Sequence, residues 1–440
     1  MSEGSGKIHA LLVVEQCNPE WPSVPLVGYK FYRHISELVR VTLVTHVRNE
    51  QALRAQHPDA DIVVIPESAW TAGWHRIATR LSTIRGGTIW PLYHTLTYPT
   101  YAEFDRKVLR AVGSRITRGE FDVVHAITPM MPRYPYSVRK VCGQTPLVIG
   151  PVNGGVPYPA SFGTVAKSEF SFLNWLRTAG RYLLSGYRET YENAAYVFSG
   201  SQFTKGLLED LFRLKRSVEV LAENGLDASF FAVPAGDGDR NGSDKLEILF
   251  VGRLVPYKGA DIAIDALASL PPALRDRARL TIVGDGPERA SLEAQAKDAQ
   301  LDHLVRFAGW VPQQETLAYY RSSDVFCFPS VREFGGAVVL EAMANKLPCI
   351  VVNNGGVAEY VTDAAGFKVE PLSREHVVAD VARALQKMIE APDLRQAMGV
   401  AAGQRARDYA WSGKAQRIVE TYRSLLNEQS RQGVSQGSVA

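Results

Sequence analysis

Two carboxylates, Glu333 and Glu341, stand eight positions apart in the stretch Ser330-Val331-Arg332-Glu333-Phe334-Gly335-Gly336-Ala337-Val338-Val339-Leu340-Glu341-Ala342-Met343-Ala344. The Gly335-Gly336 pair marks a turn, and the small and apolar residues after it predict a helix over 337–344. Glu333 then lies just outside a helix N-terminus and Glu341 about two turns inside. The free N–H groups and positive partial charge of such a terminus suit a phosphate. An acid at the same place suits a neutral polyol, because a carboxylate accepts hydrogen bonds from hydroxyls. A phosphate that carries a polyol unites the two demands, and nucleotide-sugars have that shape.

A second set of groups follows an apolar run at 246–251: Gly252-Arg253-Leu254-Val255-Pro256-Tyr257-Lys258-Gly259. Gly252 lets backbone approach a ligand closely. The Arg253 fork and the Lys258 point charge are a usual pair for a diphosphate. They would also stabilise charge that develops on a departing nucleoside diphosphate. A P-loop would need GxxxxGK[ST], which is absent, and Gly284-Asp285-Gly286-Pro287 lacks the third glycine of a dinucleotide fingerprint. A glycosidase would need its two acids on opposite sides of the scissile bond, which one helix entry does not provide.

Glu333-x7-Glu341 with Ala342-Met343-Ala344 after it, taken together with the 252–259 loop, resembles the E-x7-E signature and G-R-x-x-x-x-K-G loop of the family-4 retaining glycosyltransferases. The resemblance implies a GT-B fold: α/β, two Rossmann-like domains facing a cleft. It implies that Glu341 binds the ribose hydroxyls and Glu333 the hydroxyls of the transferred hexose. Backbone N–H groups of Gly335, Gly336, Ala337 and Val338 would cover the phosphates and sugar, and backbone near Val311 would meet the nucleobase. His125 would lie near the transferred sugar, and the anomeric configuration would be retained. Asn353-Asn354-Gly355-Gly356-Val357-Ala358-Glu359 resembles a G-G-x-x-E loop that closes the nucleotide pocket. Two departures stand out. Relatives commonly read Glu-Gly-Phe-Gly where this chain reads Glu333-Phe334-Gly335-Gly336. Where relatives place a Gly-Gly pair after the first strand, this chain has Glu15-Gln16-Cys17-Asn18. On the acceptor side the candidates are therefore Glu15, as a general base or acceptor ligand, with Asn153 and Gly154.

Apolar runs alternate with helical patterns along the whole chain, which predicts parallel sheets with crossover helices. Strands are expected at 8–14, 41–46, 61–66, 121–126, 146–150, 196–199 and 218–222, then at 246–251, 279–283, 305–308, 325–328 and 349–352. Helices are expected at 28–40, 101–118 and, as one long element, 168–194. The Gly/Asp-rich stretch 233–244 reads as a linker. The expected division is 1–232 for the acceptor, 245–410 for the nucleotide-sugar, and a helix at 411–428 that crosses back to the first domain with Trp411 as a packing residue.

The composition, 46% hydrophobic and 22% charged over 440 residues, is that of a folded chain large enough for two cores. A net charge of +3 argues against bulk nucleic-acid binding. Residues 1–230 carry 25 Lys+Arg against 20 Asp+Glu, and the remainder 24 against 26, so the basic excess sits in the first half. The four cysteines show no metal-ligand spacing and read as reduced, buried thiols. No aspartate triad or Asp-x-Asp metal site for an ion-bridged diphosphate stands out, so metal independence is expected, with no cofactor beyond the donor. No signal peptide or membrane span is expected, which fits a cytoplasmic enzyme. Residues 71–118 hold eight Lys+Arg, two acids and a cluster of aromatics. They form either a solvated helical face or a patch that meets the inner face of a membrane.

These readings converge on transfer of a hexose or N-acetylhexosamine from a nucleotide diphosphate sugar to an acceptor hydroxyl, in polysaccharide, glycolipid or glycosylated-metabolite biosynthesis. A sugar phosphorylase or nucleotide-sugar epimerase of the same fold is the alternative. A nicotinamide dehydrogenase is disfavoured by the missing fingerprint, and a non-catalytic carbohydrate-binding relative by the intact Arg253, Lys258 and Glu333.

Overall fold

The computed structural model describes residues 7–84, 87–168, 170–232 and 245–437; the expected linker at 233–244 lies outside them. The chain divides into two compact units. One comprises residues 1–155, 169–223 and 411–440, the other 156–168 and 224–410.

The first unit is built on a seven-stranded parallel sheet. Its first strands are β1 (His9–Val14), β2 (Arg40–His46) and β3 (Ile62–Ile65). After a short hairpin of β4 (Thr83–Ile84) and β5 (Gly87–Thr88) come β6 (Val123–Thr128), β7 (Leu147–Val152), β8 (Tyr196–Ser199) and β9 (Glu219–Val220). The order is β3-β2-β1-β6-β7-β8-β9, so the winding reverses between β1 and β6. Every residue of β1, β6 and β7 is buried, because helices cover both faces of a parallel sheet. One face packs Phe104, Val108, Val112 and Ile116 of the Tyr98–Thr117 helix. The other packs Phe31 and Ile35 of the Val24–Ser36 helix and Ile418, Val419 and Tyr422 of the closing helix, Trp411–Gly437. Trp411 is buried edge-on against Phe31, as a packing residue should be.

The second unit carries a six-stranded parallel sheet. Its strands are β10 (Leu246–Val251), β11 (Ala278–Val283), β12 (Val305–Gly309), β13 (Val325–Phe328), β14 (Cys349–Val352) and β15 (Gly366–Val369). The order is β12-β11-β10-β13-β14-β15, again reversing beside its first strand. In open sheets of this kind ligands bind beyond the carboxyl ends of the strands at the reversal. In this unit that means the loops after β10 and β13.

Three local expectations are corrected. The segment 168–194 is broken: a turn at Ser171–Asn174, then helices at Trp175–Leu183 and Tyr187–Asn193. Leu184 is extended and Gly186 has φ +78°, a left-handed conformation that glycine adopts without strain. Strand β15 was not expected, since four residues opening on glycine and including Lys368 give little apolar pattern. Residues 156–168, expected in the first domain, cluster with the second unit, where Arg332 Nε donates to the Val156 carbonyl and Ser161 Oγ to that of Pro371.

Candidate active site

Beyond β10 and β13 the two loops of interest are packed on one another. The Val331 N–H and the Ser330 hydroxyl both donate to the Tyr257 carbonyl. Gly259, at φ +77°, passes so close to Pro329 that a Cβ would lie 2.3 Å from its carbonyl oxygen. No other residue fits there. This packing brings Lys258 to Glu333, and Lys258 Nζ donates to Glu333 Oε2. The ammonium also lies 5.2 Å from the centre of the Phe328 ring and 5.6 Å from that of Tyr257. Both charged side chains are largely shielded but not sealed, at 17% and 13% exposed.

Glu333 is held by its backbone as well. Its carbonyl accepts from the Gly356 N–H, and it forms a bridge with Gly355. A Cβ on Gly355 would sit 2.0 Å from that carbonyl, and one on Gly336 would sit 3.0 Å from Glu333 Cγ. The 355–356 glycines therefore seat the Glu333 turn. Gly336, at φ +44°, is the N-cap of the Ala337–Ala344 helix and supplies no side-chain cap. The first-turn N–H groups, Ala337 and Val338 among them, thus open beside the Lys258–Glu333 pair, with Gly335 buried behind.

The strands on the other side of β10 also end in glycine. The Gly252 N–H donates to Val283 and the Gly284 N–H to Gly309, and a Cβ on Gly284 would lie 1.9 Å from the Gly252 carbonyl. Arg253 follows, exposed, its guanidinium 3.5 Å from the Tyr257 hydroxyl. Val311 lies half-buried in the loop after β12. Trp310 beside it is 73% exposed.

Glu341 differs from its partner. It is the fifth residue of the helix, a little over one turn in rather than two, and is buried, with Oε2 accepting from the Tyr320 hydroxyl at 2.9 Å. Sequence reasoning missed Tyr320, which stands on a separate helix, Gln313–Arg321. It missed Arg332 too, whose guanidinium lies between the rings of Tyr158 and Phe334 at 4.7 and 5.0 Å. Nothing in one chain marks which arginine of a loop will be clamped by aromatics.

Residues 238–405 match the family model described as glycosyl transferases group 1. The D-inositol 3-phosphate glycosyltransferase of Frankia alni is 30% identical over 342 residues, covering 74% of this chain and 79% of that one. The chain belongs to the group 1 glycosyltransferases. The protein of the same name from Kineococcus radiotolerans is 29% identical over 297 residues, 62% of this chain and 68% of that one. Two solved structures share the fold. One is the lipopolysaccharide outer core galactosyltransferase WaaB, with TM-score 0.65 and 13% identity over 95% of this chain and 99% of that one. The other is Anabaena Alr3699/HepE in complex with UDP, with TM-score 0.58 and 18% identity over 95% and 100%. The fold of this glycosyltransferase is GT-B, with two Rossmann-like domains.

The first unit of the glycosyltransferase treats its candidates unevenly. His125 is wholly enclosed on β6, with Nδ1 against the Tyr422 hydroxyl at 2.5 Å and Nε2 against the Gly150 carbonyl at 2.7 Å. Burial holds its pKa down to about 4, so it stays neutral near pH 7. With both ring nitrogens engaged in the core, His125 is a structural residue, which corrects the catalytic expectation. Asn153 is likewise buried, its Oδ1 accepting from Ser201 and Thr204, and Thr204 also holds both backbone groups of Gly154. These bonds fix the end of β7 to the N-terminus of the Gln202–Leu211 helix and correct the expectation that the Asn153 side chain meets the acceptor. Glu15 is different. It directly follows β1, where the sheet order reverses, and burial pushes its carboxyl up to about 7 against the pull of Gln16 and Arg48. The four cysteines are free and buried.

Proposed function

We propose that this glycosyltransferase moves a hexose from a nucleotide diphosphate to an acceptor hydroxyl with retention of anomeric configuration, independently of a metal ion. The observation that carries the reading is the Lys258–Glu333 pair at the uncapped mouth of the Ala337–Ala344 helix. A pyrophosphate would draw Lys258 away from Glu333 and gather the helix N–H groups and Arg253 around itself. Glu333, released, would accept hydrogen bonds from the sugar hydroxyls, and Glu341 from the ribose. As the bond from the anomeric carbon to the phosphate breaks, its electron pair passes to the diphosphate, where Arg253 and Lys258 meet the charge. The acceptor oxygen forms the new bond on the face that the diphosphate leaves, which keeps the configuration, and its proton passes to an oxygen of the departing diphosphate. Glu15 is the first-unit residue we assign to the acceptor. HepE, solved with UDP-glucose, and the D-inositol 3-phosphate glycosyltransferases lend the donor and the hydroxyl acceptor their plausibility.

A thermal-shift screen of nucleoside diphosphates and their sugars tests the donor. The expected result is stabilisation by one nucleotide series, followed by transfer with nucleoside diphosphate released and an anomeric proton coupling that matches the donor. Stabilisation by none of them, or release of a free sugar phosphate, would overturn the reading.

A further inference from the structure

The first unit carries two acid-free segments far apart in sequence. Between Glu67 and Glu103 there is no Asp or Glu, and between Glu169 and Glu189 there is none either. Both bounding acids of the first segment are already paired, Glu67 with Arg48 and Glu103 with Lys107. Each segment forms a helix that leaves large apolar side chains in solvent. On Ala69–Leu81 these are Trp70, Ile77 and Leu81; on the turn and helix at 171–183 they are Phe172, Trp175 and Tyr182, and the six are 52–83% exposed. Spacings of seven and eleven put Trp70, Ile77 and Leu81 on one helix face, and a spacing of seven does the same for Trp175 and Tyr182.

The two helices are joined through a third. The Trp90–Leu96 helix packs against both Ala69–Leu81 and Trp175–Leu183. Trp74 ties the first contact: its indole N–H donates to the Leu96 carbonyl at 2.7 Å, and its ring stacks on Trp70 with planes 2° apart. Trp90 itself is 43% exposed. The packed helices thus bear exposed indole, phenyl and aliphatic groups, with exposed Arg76 and Arg80 on the first and half-buried Arg181 on the last.

We propose that this surface, built from both segments, docks the enzyme on an anionic lipid bilayer. Charge chooses the occupant. Arginines without a single acid among them match lipid phosphates, and tryptophan and tyrosine favour the headgroup boundary. A soluble face this apolar is otherwise uncommon. No helix among the described residues is long and apolar enough to cross a membrane, so the contact is peripheral. Residues 172–183 are the part that sequence patterning did not single out.

The test uses the full chain with vesicles of phosphatidylcholine alone and of equimolar phosphatidylcholine and phosphatidylglycerol. The protein should sediment with the mixed vesicles, on the order of tenfold less with the neutral ones, and should be released by salt. The set Trp70→Ser, Ile77→Ser, Leu81→Ser and the set Phe172→Ser, Trp175→Ser, Tyr182→Ser should each weaken binding on the order of tenfold or more. Nucleotide affinity should be unchanged in both, which shows an intact fold. Should a set misfold, Arg76→Gln with Arg80→Gln serves instead and should abolish the preference for the anionic vesicles. No sedimentation of the wild type, or full binding by either set, overturns the proposal. So does a wild-type dimer that the substitutions dissociate without any vesicle binding.

Discussion

Lys258 donates to Glu333 across 75 residues of sequence, and the pair is the joint between the loop after β10 and the loop after β13. Neither side chain is exposed enough for its charge to be dispersed by water, so each is the other's partner. Glu333→Ala and Lys258→Ala should each lower transfer by about 10²–10³-fold, the scale of losing a group aimed at developing charge. Glu333→Ala with Lys258→Ala should lose far less than the product of the two, because the residues act as one unit. Steady-state kinetics on the two single variants and the double check this. Near-wild-type turnover in either single variant would remove the pair from the mechanism.

Glu341 should behave differently because it is buried and already holds Tyr320. If Glu341 accepts from ribose hydroxyls as proposed, calorimetry of Glu341→Ala with the free nucleoside diphosphate should show affinity down roughly ten- to a hundredfold, about 1–3 kcal/mol. Tyr320→Phe keeps the carboxylate and should weaken binding less than about threefold. If Glu341→Ala leaves affinity intact while lowering stability, the carboxylate serves only the Tyr320 hydroxyl.

Most of this fold was legible because buried parallel strands read as short apolar runs, and both sheets are of that kind. The one strand of the two parallel sheets that escaped, β15, has too few apolar residues to be distinguished from a loop. The helix at 337–344 was read to the residue, since a glycine pair and a run of small apolar residues leave little else. The second-unit candidates could be picked out together because they cluster within two loops. The contact of Lys258 with Glu333 was not, for it depends on Gly259 fitting against Pro329, a fact of three-dimensional packing. His125 was misread for a similar reason: a histidine in an apolar strand looks the same whether it faces a ligand or, as here, Tyr422 from a helix 297 positions away.

His125 gives a stability prediction in place of a catalytic one. Tyr422→Phe would leave Nδ1 without its partner in the core and should cost about 1–3 kcal/mol, read by chemical denaturation. The pH dependence has a definite sign. The folded pKa of about 4 lies below the ordinary 6.5, so between those values the unfolded chain takes up a proton that the folded one refuses. This term is absent above about pH 6.5 and destabilises progressively down to about pH 4. His125→Asn should therefore be less stable at pH 7 yet lose less on acidification, with its pH–rate profile unshifted. A moved profile would return His125 to the chemistry.

Glu15 supplies a term of opposite sign in an overlapping window. Its folded pKa of about 7 lies above the ordinary 4.5, so the folded protein holds a proton that the unfolded chain has released. Below about pH 4.5 both states are neutral there and the residue contributes nothing. As pH rises to 7 the carboxyl must ionise where burial opposes the charge, and stability falls by on the order of 1–3 kcal/mol. Glu15→Gln should match the wild type at pH 4.5 and exceed its stability by that amount at pH 8. The His125 term runs the other way over the same range, so the wild-type curve alone would show little slope, and only the two variants measured side by side separate the contributions. Activity provides the discriminating readout. If the Glu15 carboxylate engages the acceptor, wild-type kcat/KM for the acceptor should rise through pH 7, and Glu15→Gln should be flat and low. A variant that is both more stable at pH 8 and fully active would leave Glu15 as a half-buried acid with no part in transfer.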